Sequence, residues 1–233
     1  MAAKALWYSR ARPGLSKWLG ALLLAPLASF AGPWTLKSQQ DGISLWTREN
    51  PQGLVDIKGQ CEVVTRLSAF VAVMEDMASM PKWVAHNAGT RRLAKPSATE
   101  DIIHSRFHLP WPAKDRDMVT YSRWSQGEDG VLHLDIEDRG QAYPAEPGYL
   151  RMNGVEGHWT LTPQGGGLTE ISYQGSADPA GLLPHWLVNR IATRSTRQTL
   201  AGLCGRITAL DYQDSQYPFV TEPPATRTRS ERR

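Results

Sequence analysis

The sequence predicts an α+β fold, a curved antiparallel sheet with one long C-terminal helix laid across it. Three observations carry that reading. Segments of alternating apolar and polar residues recur from residue 42 to residue 177, punctuated by turn signals such as "NPQG", Asp129-Gly130 and Gly165-Gly166-Gly167. A single interval among them, 65–86, switches to helical spacing. The last patterned stretch, 184–212, reads as one long helix. A curved sheet has one face to bury, and a long helix can cover it.

Taken in order, "GISLWTRE" (42–49) and "LVDIKGQCEVV" (54–64) alternate as strands. In "TRLSAFVAVMEDM" (65–77), Leu67, Phe70, Val71, Met74 and Met77 share one helical face. "MPKWVAH" (80–86) reads as a short helix begun by proline, whose fixed φ suits a first turn. Strands return with "GTRRLAK" (89–95) and "EDIIHSRFHL" (100–109). The stretch "LPWPAKDRDMV" (109–119) interrupts them. Pro110 and Pro112 cannot donate to a ladder, so they predict a corner between strands. There Trp111 is expected to plug the sheet edge, with Asp115, Arg116 and Asp117 bonded across the corner and Arg116 offering its fork to a carboxylate. "DMVTYSRWS" (117–125) and "VLHLDIE" (131–137) form a hairpin through Asp129-Gly130, followed by "GYLRMN" (148–153), "GHWTLTP" (157–163) and "LTEISYQGSA" (168–177). The helices are thus followed by six or seven strands and then the final helix.

That helix has an uneven face. Leu187, Val188 and Ile191 are apolar, as are Leu200, Leu203, Cys204, Ile207 and Leu210, but "ATRSTRQT" (192–199) between them is small or polar. Either the small turn leaves space between helix and sheet, or it faces water.

The chain has 233 residues, 41% hydrophobic and 21% charged, which suits one domain with a real core. Its net charge of +3 comes from the ends: residues 1–31 hold four basic residues and no acid, and 222–233 hold four arginines and two acids. The body between them has 18 basic against 21 acidic residues, which excludes nucleic acid as a partner. After the basic N-terminus comes an apolar run of about 14 residues (18–31), short of the ~20 a membrane span needs. Ser29-Phe30-Ala31 places small side chains where signal peptidase cuts. Residues 1–31 are therefore expected to be a signal peptide, with the mature protein beginning near Gly32 and lying in the periplasm or secreted; an uncleaved N-terminal membrane anchor is the alternative. Residues 216–233, ending in "TRTRSERR", are expected to form a basic, disordered tail that either frays in solvent or touches anionic lipid. Cys61 and Cys204 could pair in an oxidising compartment or serve as small core residues.

No nucleophile elbow, phosphate loop or Cys-x-x-Cys occurs, and the six histidines are scattered. His104 and His108 are four residues apart on one strand, about 13 Å, too far to share a metal without a third element. Strand parity turns both outward, with His133, as surface histidines. No catalytic residue, metal or cofactor is assigned, and an enzyme is not expected.

Five words occur in a fixed order: "MPKWV" (80–84), "PWPAKDRD" (110–117), "GYLRM" (148–152), "HWTLTP" (158–163) and "DPAGLLPHWLVN" (178–189). Together they resemble the START family of lipid-transfer domains, within the helix-grip superfamily. The resemblance implies a START-like lipid-binding domain over residues 32–215, with one apolar tunnel for one lipid between sheet and helix. Asp178 and Gly181 would shape the loop that closes it. The family register turns Ile103, Ser105 and Phe107 inward from one strand, Met118, Thr120 and Ser122 from the next, and Leu132, Leu134 and Ile136 from the third. Met152, Trp159, Leu161, Leu187 and Ile191 complete the lining. Relatives often keep a buried charge on these central strands; here the matching positions are Ser105, Thr120 and Ser122, so an apolar tunnel with a few hydroxyls is expected. The implied function is to bind a sterol, fatty acid or similar lipid and carry or sense it, as a monomer with transient membrane contact. The alternative is a cyclase-like or hydrolase-like enzyme acting inside the same cavity.

Overall fold

The computed structural model describes residues 32–224. Its sheet has ten strands: β1 (Thr35–Gln40), β2 (Ile43–Glu49), β3 (Val55–Val64), β4 (Asn87–Ser97), β5 (Glu100–Phe107), β6 (Arg116–Gln126), β7 (Leu132–Asp138), β8 (Leu150–Arg151), β9 (Asn153–Gly165) and β10 (Leu168–Asp178). The order across the sheet is β1-β2-β3-β10-β9-β7-β6-β5-β4, antiparallel throughout, with β8 set parallel beside the start of β6. The path does not close, so β1 and β4 are edges. Helix α1 (Leu67–Glu75) and a 3-10 turn (Met77–Lys82) link β3 to β4, and α2 (His185–Arg206) and the short α3 (Leu210–Gln213) follow β10.

β1 carries no sequence signal because it is an edge strand with mostly exposed side chains, so nothing selects alternation. The 3-10 turn begins at Met77, not at the proline. Asp76 caps it by accepting from the Ser79 amide, and Pro81 sits inside. The word "GYLRMN" shrinks to the two residues of β8. The final helix stops at Arg206, earlier than expected, because the chain turns back on itself: Gln213 donates to the Ile207 carbonyl and to Thr65 Oγ1, and the Tyr212 hydroxyl donates to Asp76.

The core is built around Phe70 of α1, whose ring lies 5.9 Å from Trp124 and 5.4 Å from Trp159. Cys61 of β3 and Cys204 of α2 form a disulfide across 143 residues of chain. The segment after α3 is ordered onto the domain, contrary to the expected disorder from 216. Tyr217, Phe219 and Val220 pack against the core, and Glu222 accepts from the Leu67 and Ser68 amides at 3.0 and 2.8 Å. Those amides are the orphan donors of the first turn of α1, which has no cap from its own preceding residue. The proposed signal peptide (1–31) and the arginines of the basic tail lie outside the described residues.

Candidate functional site: the cavity under the last helix

The C-terminal half of α2 meets the sheet flush. Leu200, Leu203 and Ile207 are buried, and Gly59 of β3 leaves them room: a Cβ there would come 2.2 Å from Leu200 Cδ1. Gly202 approaches the 3-10 turn so closely that a Cβ would lie 2.6 Å from the Trp83 carbonyl oxygen. One turn earlier the sheet-facing side chains become Ala192, Ser195, Thr196 and Thr199. They are too short to reach the opposite wall, and a cavity of about 380 Å³ opens beneath them. Arg194 and Gln198 take the outer face. Of the two readings of "ATRSTRQT", the structure selects the one with space between helix and sheet.

The cavity wall follows strand periodicity. β5 contributes Asp101, Ile103, Ser105 and Phe107; β6 contributes Met118, Thr120, Ser122 and Trp124. Leu134 and Ile136 come from β7, Trp159 from β9, Met152 from the turn before it, and Ile191 from α2. Three expected lining residues lie elsewhere. Leu132 and Leu161 pair across β7 and β9 on the same face, but at the end where α1 and the gripped half of α2 fill the space, so they are core. Leu187 is half-buried and off the lining, because the helical face directed at the cavity runs through Val188, Ile191, Ala192 and Ser195. Sequence reasoning missed Val55 and Ile57 of β3, Tyr173 of β10, and Met74, Met77 and Met80 around α1. Tyr173 lies 4.6 Å from Trp159, ring to ring, and burial pushes its phenol up to about 12.

The cavity is not purely apolar and hydroxylic. Asp101 lines it and is only 5% exposed. Arg92 Nε donates to Asp101 at 2.5 Å, and Lys95 Nζ lies 3.7 Å away. Both cations also bind Glu75, at 2.6 and 2.8 Å. Burial holds the Asp101 carboxyl above its ordinary value despite Arg92. Burial opposes ionisation of Glu75 too, but hydrogen bonds from Lys95 and Arg92 outweigh it and keep that carboxyl low. Ser122 faces Asp101 across the β5–β6 ladder. The buried charge thus sits two residues before Ile103, on the same parity, where alternation alone could have found it.

Toward the opposite end of β5, about 20 Å along at ~3.3 Å per residue, the cavity is lined by Leu109, Pro179, Leu183 and Val188. Arg116 is fully buried there and donates to the carbonyls of Pro179 (2.5 Å), Lys114 (2.5 Å) and Ala180 (3.0 Å). Its fork therefore serves three backbone oxygens that would otherwise lack partners, rather than a carboxylate, and it ties the proline corner to the loop before α2. Asp178 accepts from the Ala180 amide, and Gly181 adopts φ +85, where a Cβ would press on Leu150 and Arg116. Trp111 does not plug the edge: it is 93% exposed, and Ala113 occupies the buried corner position.

His104 also departs from expectation. It faces outward as parity requires, yet it is buried, because Arg91 and Arg151 fold over that face. Arg91 Nε donates to His104 Nδ1 at 3.3 Å, so Nε2 carries the proton toward Asp117, 2.9 Å away, and Arg151 holds the same carboxylate at 2.7 Å. His108 stays exposed beside Asp115, and His133 stacks on His158 at 5.3 Å.

Residues 32–202 match the START domain family model. The chain belongs to the START family. Among its relatives, an uncharacterized protein of Pseudomonas aeruginosa is 28% identical over 177 residues, 75% of this chain and 87% of that protein. Human START domain-containing protein 10 is 25% identical over 161 residues, 67% of this chain and 55% of its own length. Among solved structures, the STAR-related lipid transfer protein fragment of Xanthomonas axonopodis superposes with a TM-score of 0.69 at 26% identity, covering 76% of this chain and 99% of that one. Human STARD10 superposes with a TM-score of 0.66 at 21% identity, covering 75% and 72%, a likeness of fold. The helix-grip architecture of this START domain is thus shared, and its cavity occupies the space between the gripped helix and the sheet.

Proposed function

We propose that this START domain holds one hydrophobic lipid under α2, its polar head toward Asp101 and Ser122, and carries it between membranes. The observation that supports this most is the cavity itself. Its volume of about 380 Å³ falls in the range of small-ligand pockets. A lipid burying about 300 Å² of apolar surface there gains roughly 7 kcal/mol, before the cost of immobilising it. No directional chemistry is needed for that gain. At the Asp101 end two carboxylates already engage Arg92 and Lys95, which favours a neutral head that donates a hydrogen bond, a hydroxyl above all, over a fatty-acid carboxylate. The likeness to a lipid transfer protein from Xanthomonas axonopodis agrees with this reading.

The test is mass spectrometry of the natively purified protein and of its extracted lipids. One neutral, hydroxyl-bearing lipid per chain is expected. A protein that carries no lipid and takes up neither labelled sterol nor labelled acyl lipid would refute the proposal.

A second reading, an enzyme acting on a bound hydrophobic substrate, draws on Asp101, a buried acid with a raised pKa in a cavity. Against it, the side-chain partners of Asp101 are Arg92 and Lys95, and the cavity-lining His86 stands at the Phe107 end of β5. Under this reading Asp101→Asn would abolish turnover yet spare binding; under the carrier reading it alters only which head groups bind.

The Cys61–Cys204 disulfide supports export to an oxidising compartment, with cleavage near Gly32. Alkylation of thiols before lysis should leave both cysteines unlabelled. Labelled cysteines, together with an intact N-terminus in the cytoplasmic fraction, would contradict export.

A further inference from the structure

The Tyr173 hydroxyl lines the cavity on the wall opposite Asp101. Tyr173 and Gly175 of β10 share the inward face, and Gly175 pairs directly with Gly157 of β9. The two glycines leave that face bare, and the Tyr173 ring folds onto them. A Cβ at Gly157 would lie 3.5 Å from its Cε2, and one at Gly175 would lie 2.1 Å from its hydroxyl oxygen. Trp159 holds the ring at 4.6 Å, ring to ring. The hydroxyl is thereby set over Gly175, beyond the level of its own Cα. Gly175 belongs to a row of directly paired inward residues that crosses the sheet: Asp101, Ser122, Ile136, Gly157 and Gly175. Asp101 and Ser122 stand at one end of that row and the Tyr173 hydroxyl at the other. Four strand spacings of ~4.8 Å separate the ends by ~19 Å along the sheet, and by less across its concavity.

The hydroxyl makes no hydrogen bond to the protein among the described residues, and burial alone pushes it up to about 12. It keeps accessible surface on the cavity side, whereas Ser195 Oγ and Trp83 Nε1, also without partners, are sealed in protein. A buried phenol ordinarily has a partner. Phenylalanine would cover the two glycines equally well without the cost of an unpaired hydroxyl. The partner's charge is constrained as well. Among the described residues no lysine lines the cavity, and the lining arginine, Arg116, is committed to three carbonyls. A carboxylate against Tyr173 would therefore be uncompensated. We propose that the lipid under α2 carries two neutral oxygen functions on an apolar frame, the first held by Asp101 and Ser122 and the second, a hydroxyl or carbonyl, by the Tyr173 hydroxyl. This rests on the lipid-carrier reading above and narrows its ligand from a simple alcohol or sterol to a diol or hydroxyketone.

The experiment compares a radiolabelled long-chain alcohol with the α,ω-diol of the same length, bound to the delipidated full chain. The alcohol is the more apolar of the two, so burial alone favours it. The parent should nevertheless bind the diol about fivefold or more tightly than the alcohol. Tyr173→Phe should bring that ratio to one or below and bind the alcohol no more weakly. Its melting temperature should be no lower than the parent's, because the ring stays on the glycines and only an unpaired hydroxyl is lost. A parent that binds both alike, or prefers the alcohol, overturns the inference and leaves the carrier reading standing. A preference for the diol that survives in Tyr173→Phe also overturns it, since the hydroxyl would then face only water. Uptake of neither ligand, nor of any sterol or acyl lipid, sinks the carrier reading and this inference with it.

Discussion

The two halves of α2 share a backbone conformation and differ in what lies beneath them. From Leu200 onward, large aliphatics meet glycines: Leu200 rests on Gly59, Gly202 lets Trp83 approach, and Cys204 is bonded to Cys61. Before Leu200 the same face carries Ala192, Ser195, Thr196 and Thr199 over the cavity, and the helix is tethered at intervals by polar groups. Asn189 accepts from the Val55 amide and donates to the Gly53 carbonyl, and Thr199 Oγ1 accepts from the Ala85 amide. A helix fixed hard at one end and by a few hydrogen bonds at the other can cover a cavity and still yield to a ligand. Stability is concentrated in one half, and the space for a ligand in the other.

Substitutions in the two halves should therefore separate stability from binding. The largest effects belong to the gripped half. Replacing Cys61 and Cys204 together by alanine should cost about 2–5 kcal/mol in urea unfolding, because a long loop loses its constraint. Leu203→Ala should cost a similar ~2–5 kcal/mol, while Ile191→Ala should cost under about 1 kcal/mol, since its methyls already border the cavity. Equal losses at the two sites would erase the distinction. Ile191→Glu should keep the fold and lose lipid, as read by native mass spectrometry; a folded variant that retains lipid would contradict the cavity assignment.

A smaller contrast lies within one turn. Gly202→Ala should destabilise by about 1–3 kcal/mol through collision with the Trp83 backbone, although alanine is the better helix former. Gly205→Ala, with nothing within 4 Å of the new Cβ, should instead stabilise by roughly 0.5–1 kcal/mol. At the cavity's far end the sign of pH dependence distinguishes two acids. Asp101 holds its proton more tightly folded than unfolded, so its contribution falls as pH rises from its ordinary 3.8 toward the raised folded value. Glu75 contributes stability above its ordinary 4.5 that is lost as pH drops through its lowered value. Asp101→Asn should therefore gain stability relative to the parent between pH 3 and pH 7 in parallel urea titrations; a relative loss over that range would reverse the assignment. The smallest effect is Trp111→Ala, expected within about 0.5 kcal/mol of the parent because the ring packs on nothing.

Much of the cavity was legible from strand parity. Once Ile103, Ser105 and Phe107 share a face, the pleat sends their cross-strand partners Thr120 and Met118 to the same side. Parity does not say where along a strand the covering layer is thick. Leu132 and Leu161 have the inward parity of Leu134 and Trp159, and only the position of α1 makes them core. Nor does it say what covers the outer face: parity marks His104 as exposed, but Arg91 and Arg151 fold over it. Trp111 departs in the opposite sense: two prolines mark the corner, but a fully buried arginine and a small Ala113 fill it.

Local periodicity and side-chain size were enough to give the types and order of all the main elements except the edge strand β1, most of the inward residues of the central strands β5–β7, and the unusually small turn at 192–199. Tertiary structure alone decided that the small turn lies over open space, that Cys61 meets Cys204, that Asp101 faces the cavity with Arg92 beside it, and that Glu222 returns to cap α1. Each of those depends on the distance between segments far apart in the chain. That distance is fixed by how closely whole surfaces pack, a quantity no local pattern encodes.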